Sequence, residues 1–366
     1  NPDFQPTFKV KRWIGLIGFI ACFSVMFKLD MMAMIVALAV ISAMYFGLQR
    51  KEVKLQSNDV WKSVWENVVN KGLKKIDAQV EEKTNWNPNI ILFSGKSDHQ
   101  SYLLELCKTV SGRTGIVTNF KLILDKKNTK PPLKKIDQVV RDDMFQELGI
   151  FARQIKVDNI YSGITNIAST FGFSGVEPNT IMMGWPKGLE NSKEYSNMTQ
   201  TLLHLDYNLL YLDFDRKTKF GNRNSVDFWW RETDSKNAEM MLNIARFIIA
   251  SPKWNDTNIR VLFVNNNNVD VTLIESKISK LVEDLRVNVK IKIINNAVEQ
   301  KRFYSIIEEE SKTTDLTIIG IPDYNIEKQA EFVLKTNNLF ESIGSTLLVK
   351  AAHNFNELDL DLLNKD

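Results

Sequence analysis

A glycine-lysine turn directly after the first β-like apolar run is the sequence feature closest to a ligand-binding motif. Ser94, Gly95 and Lys96 close the run that starts at Ile90. Ligands of open parallel sheets bind beyond the carboxyl ends of the strands, where helix N-terminal N–H groups and an ammonium group hold phosphates. The turn matches neither GxGxxG nor GxxxxGKS/T, so it indicates only a weak site for ATP or another nucleotide. The plainer interpretation, a tight turn at Gly95 beside a solvated Lys96, is favoured.

Residues suited to acid-base, nucleophilic or metal chemistry are sparse. The chain has three histidines, His99, His204 and His353. None is accompanied by a GxSxG elbow, an HExxH helix or paired Cys/His spacing. Asp206, Asp213 and Asp215 lie around one predicted strand, but carboxylates at a strand end are usually solvated. The two cysteines form no disulfide framework or metal quartet, which is typical of a reducing compartment. We therefore expect no enzymatic activity and no metal.

The elements that would position any site are short β-rich runs alternating with helical stretches from residue 89 onward. The first five runs are 90–94, 115–124, 152–158, 180–184 and 209–214. The second five are 226–230, 259–264, 289–294, 316–320 and 345–350. Three strand starts of the first set recur at one constant offset in the second. The pattern predicts an α/β fold with two tandem five-stranded, mainly parallel βα subdomains, at 89–216 and 217–366.

Two uncharged apolar runs, 14–27 and 31–48, precede these elements and are separated by three residues. A bilayer core of about 30 Å needs about 20 apolar residues in a helix. Basic residues flank the pair at Lys9, Lys11, Arg12, Arg50, Lys51 and Lys54, with Lys28 at the turn. By the positive-inside rule both ends face the cytoplasm. We predict a transmembrane hairpin of helices 13–28 and 31–48 within residues 1–51, with membrane lipid as its partner and the bulk of the chain in the cytoplasm.

Two other interpretations of the apolar runs are open. One is a buried hairpin in a soluble domain, and the other is a signal peptide. A signal peptide has a single apolar region, whereas here a second and longer run follows at once, so the membrane hairpin is favoured.

An amphipathic connector is predicted over residues 52–88. Val60, Val64 and Val68 recur at helical spacing around Trp61 and Trp65. A helix that packs this stripe on the next domain is favoured over a helix on a membrane surface.

Composition excludes several classes of protein. The chain has 366 residues, 44% of them apolar and 25% charged, which excludes wholesale disorder. The net charge is only +3, so the basic footprint of a nucleic-acid binder is missing and no nucleic-acid partner is expected.

Four segments carry a resemblance to a known family. They contain Asn1, Pro2, Phe4 and Pro6; Pro178, Asn179, Thr180 and Gly184; Asp227, Trp229 and Trp230; and Asp315 and Pro322. In order and spacing they resemble the carboxyl-terminal part of the cation-chloride cotransporters, the sodium-potassium-chloride and potassium-chloride symporters. Gln5 stands where that family usually has arginine. The segments also have a packing interpretation, since Trp229 and Trp230 on one strand point to opposite faces of a sheet.

The resemblance implies the last two membrane helices and the cytoplasmic regulatory and dimerisation domain of an electroneutral cotransporter of chloride with potassium, sodium or both. Its partners are then a second copy and the remaining transmembrane bundle, and its ion sites lie outside this chain. The implied fold is similar to universal-stress proteins. The ATP-binding members carry a Gly-x-x-Gly segment after the fourth strand and a later Gly-Ser or Gly-Thr. Gly344 and Ser345 resemble the later element, whereas the segment that begins at Gly320 lacks the second glycine of the first. A membrane-anchored nucleotide sensor of the universal-stress type is the alternative.

Overall fold

The architecture is known from a computed structural model. It describes isolated positions between 13 and 28 and residues 31–50, 58–78, 86–95, 100–124, 138–139, 143–173, 176–188, 192–231, 235–284, 289–323 and 329–355. The chain divides into two compact units, Asn1–Gln79 and Val80–Asp366.

The first unit contains two long helices, α1 (Met31–Arg50) and α2 (Asn58–Asp77). They match the second predicted membrane segment and the predicted amphipathic connector. Among the residues that the structure describes, no helix is both long and apolar enough to cross a bilayer. The predicted hairpin is therefore not seen in the structure.

The second unit is built from eleven strands and eight helices over its described residues. The strands are β1 (Ile90–Phe93), β2 (Val117–Leu124), β3 (Gln138–Val139), β4 (Phe151–Val157), β5 (Thr180–Gly184), β6 (Asn208–Asp213), β7 (Ser225–Trp230), β8 (Asn258–Asn265), β9 (Lys290–Asn295), β10 (Leu316–Gly320) and β11 (Thr346–Lys350). The helices are α3 (Gln100–Ser111), α4 (Asp143–Leu148), α5 (Ile160–Thr170), α6 (Ser192–His204), α7 (Ser235–Ile249), α8 (Val271–Asp284), α9 (Phe303–Ser311) and α10 (Gln329–Phe340). All ten strands predicted from the sequence are present, and β3 is the addition.

These strands form one continuous sheet in the order β3-β4-β2-β1-β5-β6-β11-β10-β7-β8-β9. Without the short edge strand β3, each half places its own five strands in the spatial order 3-2-1-4-5. All pairs of these ten strands are parallel except β6 with β11, which is antiparallel in the register Tyr211↔Leu348 and joins the halves. The α/β, mainly parallel fold is thus confirmed. The boundaries at 89–216 and 217–366, and the count of two subdomains, stay predictions.

Both faces of the sheet are buried, as the β-rich runs indicate. Ile90, Leu92 and Trp230 pack in one core cluster, whereas Ile91 and Trp229 pack in another. Successive side chains of a strand point to opposite faces, so each cluster fills one layer between the sheet and its helices. The interpretation of Trp229 and Trp230 as fillers of two layers is confirmed.

Candidate functional site

A cavity of about 980 Å³ opens at the carboxyl edge of the first half of the sheet. It is lined by strand ends and by the segments that follow them: Phe93, Ser94 and Gly95 after β1; Asp158 to Tyr161 after β4; Met183 to Lys187 after β5; and Leu212 to Lys217 after β6. Residues of α5 and α6, Leu103 of α3, Leu122 and Leu124 of β2, and Phe340 of α10 complete its wall.

The strand order explains why the cavity lies here. The helix after β1, α3, packs in the cluster that contains Leu104, whereas the helix after β5, α6, packs in the opposite cluster with Leu202. The chain therefore leaves the two neighbouring strands β1 and β5 toward opposite faces, and a crevice opens between their carboxyl ends.

Aromatic rings form most of the apolar wall. Trp185 is buried between Tyr195, at 6.5 Å between ring centroids, and Phe340, at 5.9 Å. Tyr161 lies edge-on to Tyr195 at 6.4 Å. Burial, and then the nearby Glu194 carboxylate, raise the pKa of Tyr161, so its phenol stays protonated at neutral pH. Rings in this arrangement suit a flat apolar group more than a strongly charged one.

Asn159 fixes the position of Tyr161 at the cavity. Its side-chain oxygen accepts hydrogen bonds from the backbone N–H groups of Tyr161, at 2.8 Å, and Ser162, at 3.3 Å, and so caps α5. Its amide group donates to Glu194 on α6 at 2.9 Å. The cap therefore ties the start of α5 to α6 across the cavity mouth.

Ser94 and Gly95, the residues predicted for a nucleotide, do line this cavity. Ser94 is only 3% exposed, and its hydroxyl has no hydrogen-bond partner among the described residues. Gly95 is exposed, with open space where a Cβ would stand. Lys96 lies outside the described residues. A buried hydroxyl without a partner costs stability, so within the described part of the predicted turn the Ser94 hydroxyl is placed to bind a ligand. Nucleotide binding itself stays a prediction.

The carboxylates around β6 are held more tightly than the sequence analysis expected. Asp213 is buried, not solvated, and one of its oxygens pairs with the Lys187 ammonium at 2.9 Å. Burial opposes ionisation of Asp215. The hydrogen bonds that Thr218 and Lys217 donate to it outweigh that effect and lower its pKa. These carboxylates hold the turn after β6 in place, because each has a fixed donor.

Gly344 and Ser345 lie at the amino end of β11, where the antiparallel junction brings them beside the turn after β6. The Ser345 hydroxyl accepts a hydrogen bond from the Asp215 backbone N–H at 3.1 Å and donates to the Lys219 carbonyl at 2.5 Å. A Cβ on Gly344 would stand 3.0 Å from the Thr314 carbonyl oxygen. Ser345 therefore connects the two halves through Asp215, and the contact of Gly344 and Ser345 with a nucleotide stays a prediction.

The corresponding edge of the second half is occupied by a side chain. Asn237 of α7 is buried; its amide group donates to the Ile321 carbonyl at 2.8 Å and its oxygen accepts from the Ala351 N–H at 2.6 Å. A Cβ on Gly320 would stand 3.1 Å from the Cβ of Asn237. The two halves share a strand order but differ at this edge.

The remaining residues of the family resemblance have structural contacts where they are described. Asp227, fully buried, accepts two hydrogen bonds from Arg260, each at 2.7 Å, and one each from Ser311 and Thr314. Asp315 accepts from the backbone N–H of Asn224 at 2.7 Å.

Four more of these residues lie in or beside strands of the first and second halves. The Asn179 side chain accepts from the Asn89 N–H at 3.2 Å and from the Thr180 hydroxyl at 2.8 Å. Pro178 precedes β5, and Pro322 follows β10. Asn1, Pro2, Phe4 and Pro6 lie outside the described residues.

Several residues that organise these contacts were missed by the sequence analysis. Arg260 stands directly opposite Asp227 in the β7–β8 register, so a cross-strand charge pair was available as a signal once both strands were aligned. Asn237 gave no such signal, because asparagines on helices are common and are usually exposed.

The described residues contain no group of three or more His, Cys, Asp or Glu side chains placed to hold a metal ion. Cys107 is a free thiol, and its burial raises its pKa, which disfavours the reactive thiolate. His204 contacts the Gln200 carbonyl through Nδ1 at 3.0 Å, a contact within its own helix.

The fold and the cavity define a class of protein: an α/β domain built on one continuous, mainly parallel sheet whose strand order repeats, with a ligand-sized crevice at one carboxyl edge. The cytoplasmic domain of a prokaryotic cation chloride cotransporter has a similar fold, with a TM-score of 0.55 at 16% identity over 75% of this chain and 100% of that one. A putative universal stress protein from Pseudomonas aeruginosa matches at a TM-score of 0.41 and 13% identity over 80% of this chain.

Sequence comparison identifies the relatives of this chain. It is 22% identical over 357 residues to potassium/chloride cotransporter 3 of Caenorhabditis elegans, covering 90% of this chain and 31% of that protein. It is 19% identical over 316 residues to cation-chloride cotransporter 1 of Oryza sativa subsp. japonica, covering 80% of this chain and 31% of that protein. No protein-family model matches.

The homologues of this chain are cation-chloride cotransporters, and the resemblance seen in the sequence is confirmed. The chain spans about a third of the length of these curated relatives, 31% in each case.

Proposed function

We propose that this chain is the carboxyl-terminal part of an electroneutral cation-chloride cotransporter and that its α/β unit is the regulatory and dimerisation domain on the cytoplasmic side. The observation that carries the proposal is the match of 90% of the chain to a potassium/chloride cotransporter, together with the same domain fold in a prokaryotic member. In this proposal the chain moves no ion by itself. It controls a bundle of membrane helices that binds chloride with potassium, sodium or both.

The membrane hairpin is the second part of the proposal. Helix α1 covers the second apolar run, and those of its side chains that are described are exposed over residues 35–36 and 38–44. A helix that is apolar on all sides needs an apolar environment, and the charge-free stretch 31–48 suits lipid. The first predicted segment, 13–28, lies largely outside the described residues.

A regulatory role without catalysis fits the polar groups of the α/β unit. Asp227, Asp315 and Asn179 each accept hydrogen bonds from donors of the same unit, and Asp213 is paired with Lys187. Groups held in this way organise a scaffold, whereas a catalytic group needs to face a substrate. We therefore propose that the unit is not an enzyme. We also propose that it has two subdomains, because the strand order of the first five strands is repeated by the second five.

Flux measurements test the regulatory role. The complete transporter gene is expressed with and without residues 80–366, and surface expression of the two forms is matched by quantitative labelling of an extracellular tag. We expect chloride uptake to lose its response to cell swelling or shrinkage in the truncated form. Unchanged uptake and unchanged response at equal surface expression would contradict the proposal.

Dimerisation is tested on the full chain in detergent. Sedimentation equilibrium at tens of micromolar is expected to give twice the protomer mass, and a monomer at all concentrations would reject this part. Symmetric association is the common outcome for such domains.

A further inference from the structure

An exposed apolar stripe runs along α2. Trp61 is 66% exposed and Trp65 is 63% exposed. The other exposed apolar residues of the helix are Val64, Val68, Val69 and Ile76. At about 100° per residue, positions three or four apart share one side of a helix, so these six side chains form one broad stripe. A stripe of this width on a stable helix is covered by an apolar partner.

Lysines border the stripe. By the same helical geometry Lys71 and Lys62 lie along the two opposite margins of the stripe. Lys75 lies just inside the edge beside Lys71, near the end of the helix, and Lys74 lies on the polar side. Lysine is depleted at protein–protein interfaces. An apolar face with tryptophan and lysine margins is instead typical of a helix that lies in the headgroup region of a bilayer with anionic lipids.

The position of α2 in the chain points to the same partner. It follows α1, whose described side chains between Ile35 and Met44 are all exposed, and only residues 51–57 separate the two helices. Seven extended residues span at most about 25 Å, which is less than the thickness of a bilayer with its headgroups, about 40–45 Å. If α1 lies in lipid, α2 begins at the surface where α1 ends.

We propose that α2 is an interfacial helix that binds the surface of an anionic bilayer, with Trp61 and Trp65 inserted among the headgroups and Lys71 and Lys75 directed to the lipid phosphates. In this proposal α2, which joins the hairpin to the α/β unit in the chain, is bound to the membrane surface. The charge of the lipid surface controls how tightly α2 binds. The inference rests on the proposed membrane hairpin only for the closeness of α2 to lipid.

Collisional quenching of a bimane label tests the inference in the full chain, reconstituted in phosphatidylcholine vesicles with and without phosphatidylserine. In a background of Cys22→Ala and Cys107→Ala, single cysteines are placed at Trp65→Cys on the stripe, Asn70→Cys on the polar side, Val36→Cys in α1 and Asp256→Cys on the α/β unit. Brominated lipid quenches labels in the bilayer, and iodide quenches labels in water. We expect strong lipid quenching and weak iodide quenching at Trp65→Cys, and the reverse at Asn70→Cys and Asp256→Cys.

The outcomes separate the alternatives. Protection of the Trp65→Cys label from both quenchers means that protein covers the stripe, either the α/β unit or a second copy, and overturns the inference. Iodide quenching at Trp65→Cys overturns it as well. The Val36→Cys label reports on the hairpin separately: an aqueous Val36→Cys with a lipid-quenched Trp65→Cys contradicts the proposed hairpin and supports the interfacial helix.

Charge reversal gives the specific signature of anionic lipid. Lys71→Glu and Lys75→Glu are each expected to shift the Trp65→Cys label from lipid toward water by roughly fivefold in phosphatidylserine vesicles. The matched control Lys74→Glu, on the polar side, is expected to have a smaller effect. Equal quenching with and without phosphatidylserine overturns the assignment of the lysines. If the cysteine-free background does not fold, brominated-lipid quenching of native tryptophan fluorescence is compared between the wild-type chain and Trp61→Tyr/Trp65→Tyr. A quenched fraction unchanged by these substitutions overturns the inference.

Discussion

The indole Nε1 of Trp185 donates a hydrogen bond to the side-chain oxygen of Asn337 at 2.8 Å. Trp185 belongs to the loop after β5 that lines the cavity in the first half, and Asn337 belongs to α10 in the second half. The Asn337 amide group also donates to the Lys187 carbonyl at 3.3 Å. One side chain of the second half thus positions the cavity loop of the first, so changes at the cavity and at α10 are expected to be coupled.

Asn337→Ala is expected to destabilise the α/β unit, because it leaves the buried Trp185 N–H without an acceptor. The expected loss in the free energy of unfolding is about 1–3 kcal/mol. Urea denaturation of the full chain in detergent, followed by tryptophan fluorescence, measures it. The matched control is Asn338→Ala, since Asn338 is exposed on the same helix. Equal midpoints for the two variants would argue against the role of Asn337.

Arg260→Met is expected to lower the free energy of unfolding more than Asn337→Ala does, because it leaves the fully buried Asp227 carboxylate without its cation. Removal of one partner of a buried ion pair typically costs about 3–5 kcal/mol. Lys292→Met removes a neighbouring but more exposed ion pair with Glu310, at 2.7 Å, and is expected to cost at most about 1 kcal/mol. Denaturation curves of the two variants are compared with those of the wild-type chain, and a loss as small for Arg260→Met as for Lys292→Met would contradict the prediction.

Ser94→Ala is expected to stabilise the ligand-free chain by about 1 kcal/mol, because it removes a buried hydroxyl that has no partner. Ser311→Ala is the control in the opposite direction. Its hydroxyl accepts from Trp229 at 3.0 Å and donates to Asp227 at 2.7 Å, so its loss is destabilising. Thermal unfolding of the apo protein measures both changes. A lower melting temperature for Ser94→Ala would show that this hydroxyl has a stabilising contact.

Asp215 gives the α/β unit a stability that depends on pH in the acid range. Its pKa in the folded state lies below its ordinary value of 3.8, so the folded state binds the proton less readily than the unfolded state does. The contribution is therefore complete above the unfolded pKa and is lost as pH falls through the folded pKa. We expect the stability difference between wild type and Asp215→Asn to be constant from neutral pH to just above the unfolded pKa and to shrink below it.

Thr218→Val is expected to have a pH dependence of stability between those of the wild type and Asp215→Asn. It keeps the Asp215 carboxylate but removes the hydroxyl that donates to it at 2.6 Å, so the acid-range change is expected to become smaller without disappearing. A difference between wild type and Asp215→Asn that is independent of pH down to the acid limit of folding would refute the assignment.

Local patterns in the sequence predicted the strands well, because each buried strand is a short β-rich run bounded by turn-forming residues. The alternation of Trp229 and Trp230 between layers follows from the geometry of a single strand. The antiparallel pairing of β6 with β11 was not predictable in this way, because it joins residues such as Tyr211 and Leu348 that lie far apart in the chain. The edge strand β3 is only two residues long and gives no periodic signal.

The candidate site was predicted in part for the same reason. Ser94 and Gly95 could be placed at a strand end and do line the cavity. The burial of Asp213 and the position of Ser345 beside Asp215 depend on the junction between the halves, so a sequence pattern gives no signal for them. The position of the Asn237 side chain at the edge of the second half likewise depends on how α7 packs against the sheet, because its partners Ile321 and Ala351 follow β10 and β11.

The cation dependence of chloride uptake tests the proposed electroneutral cotransport. The complete gene product is reconstituted in vesicles, and chloride uptake is measured with potassium, sodium, both ions or an impermeant organic cation outside, at clamped membrane potentials. For electroneutral cotransport we expect uptake that requires potassium, sodium or both and that is insensitive to the membrane potential. Chloride uptake that persists in the organic cation alone, or that follows the membrane potential, would contradict it.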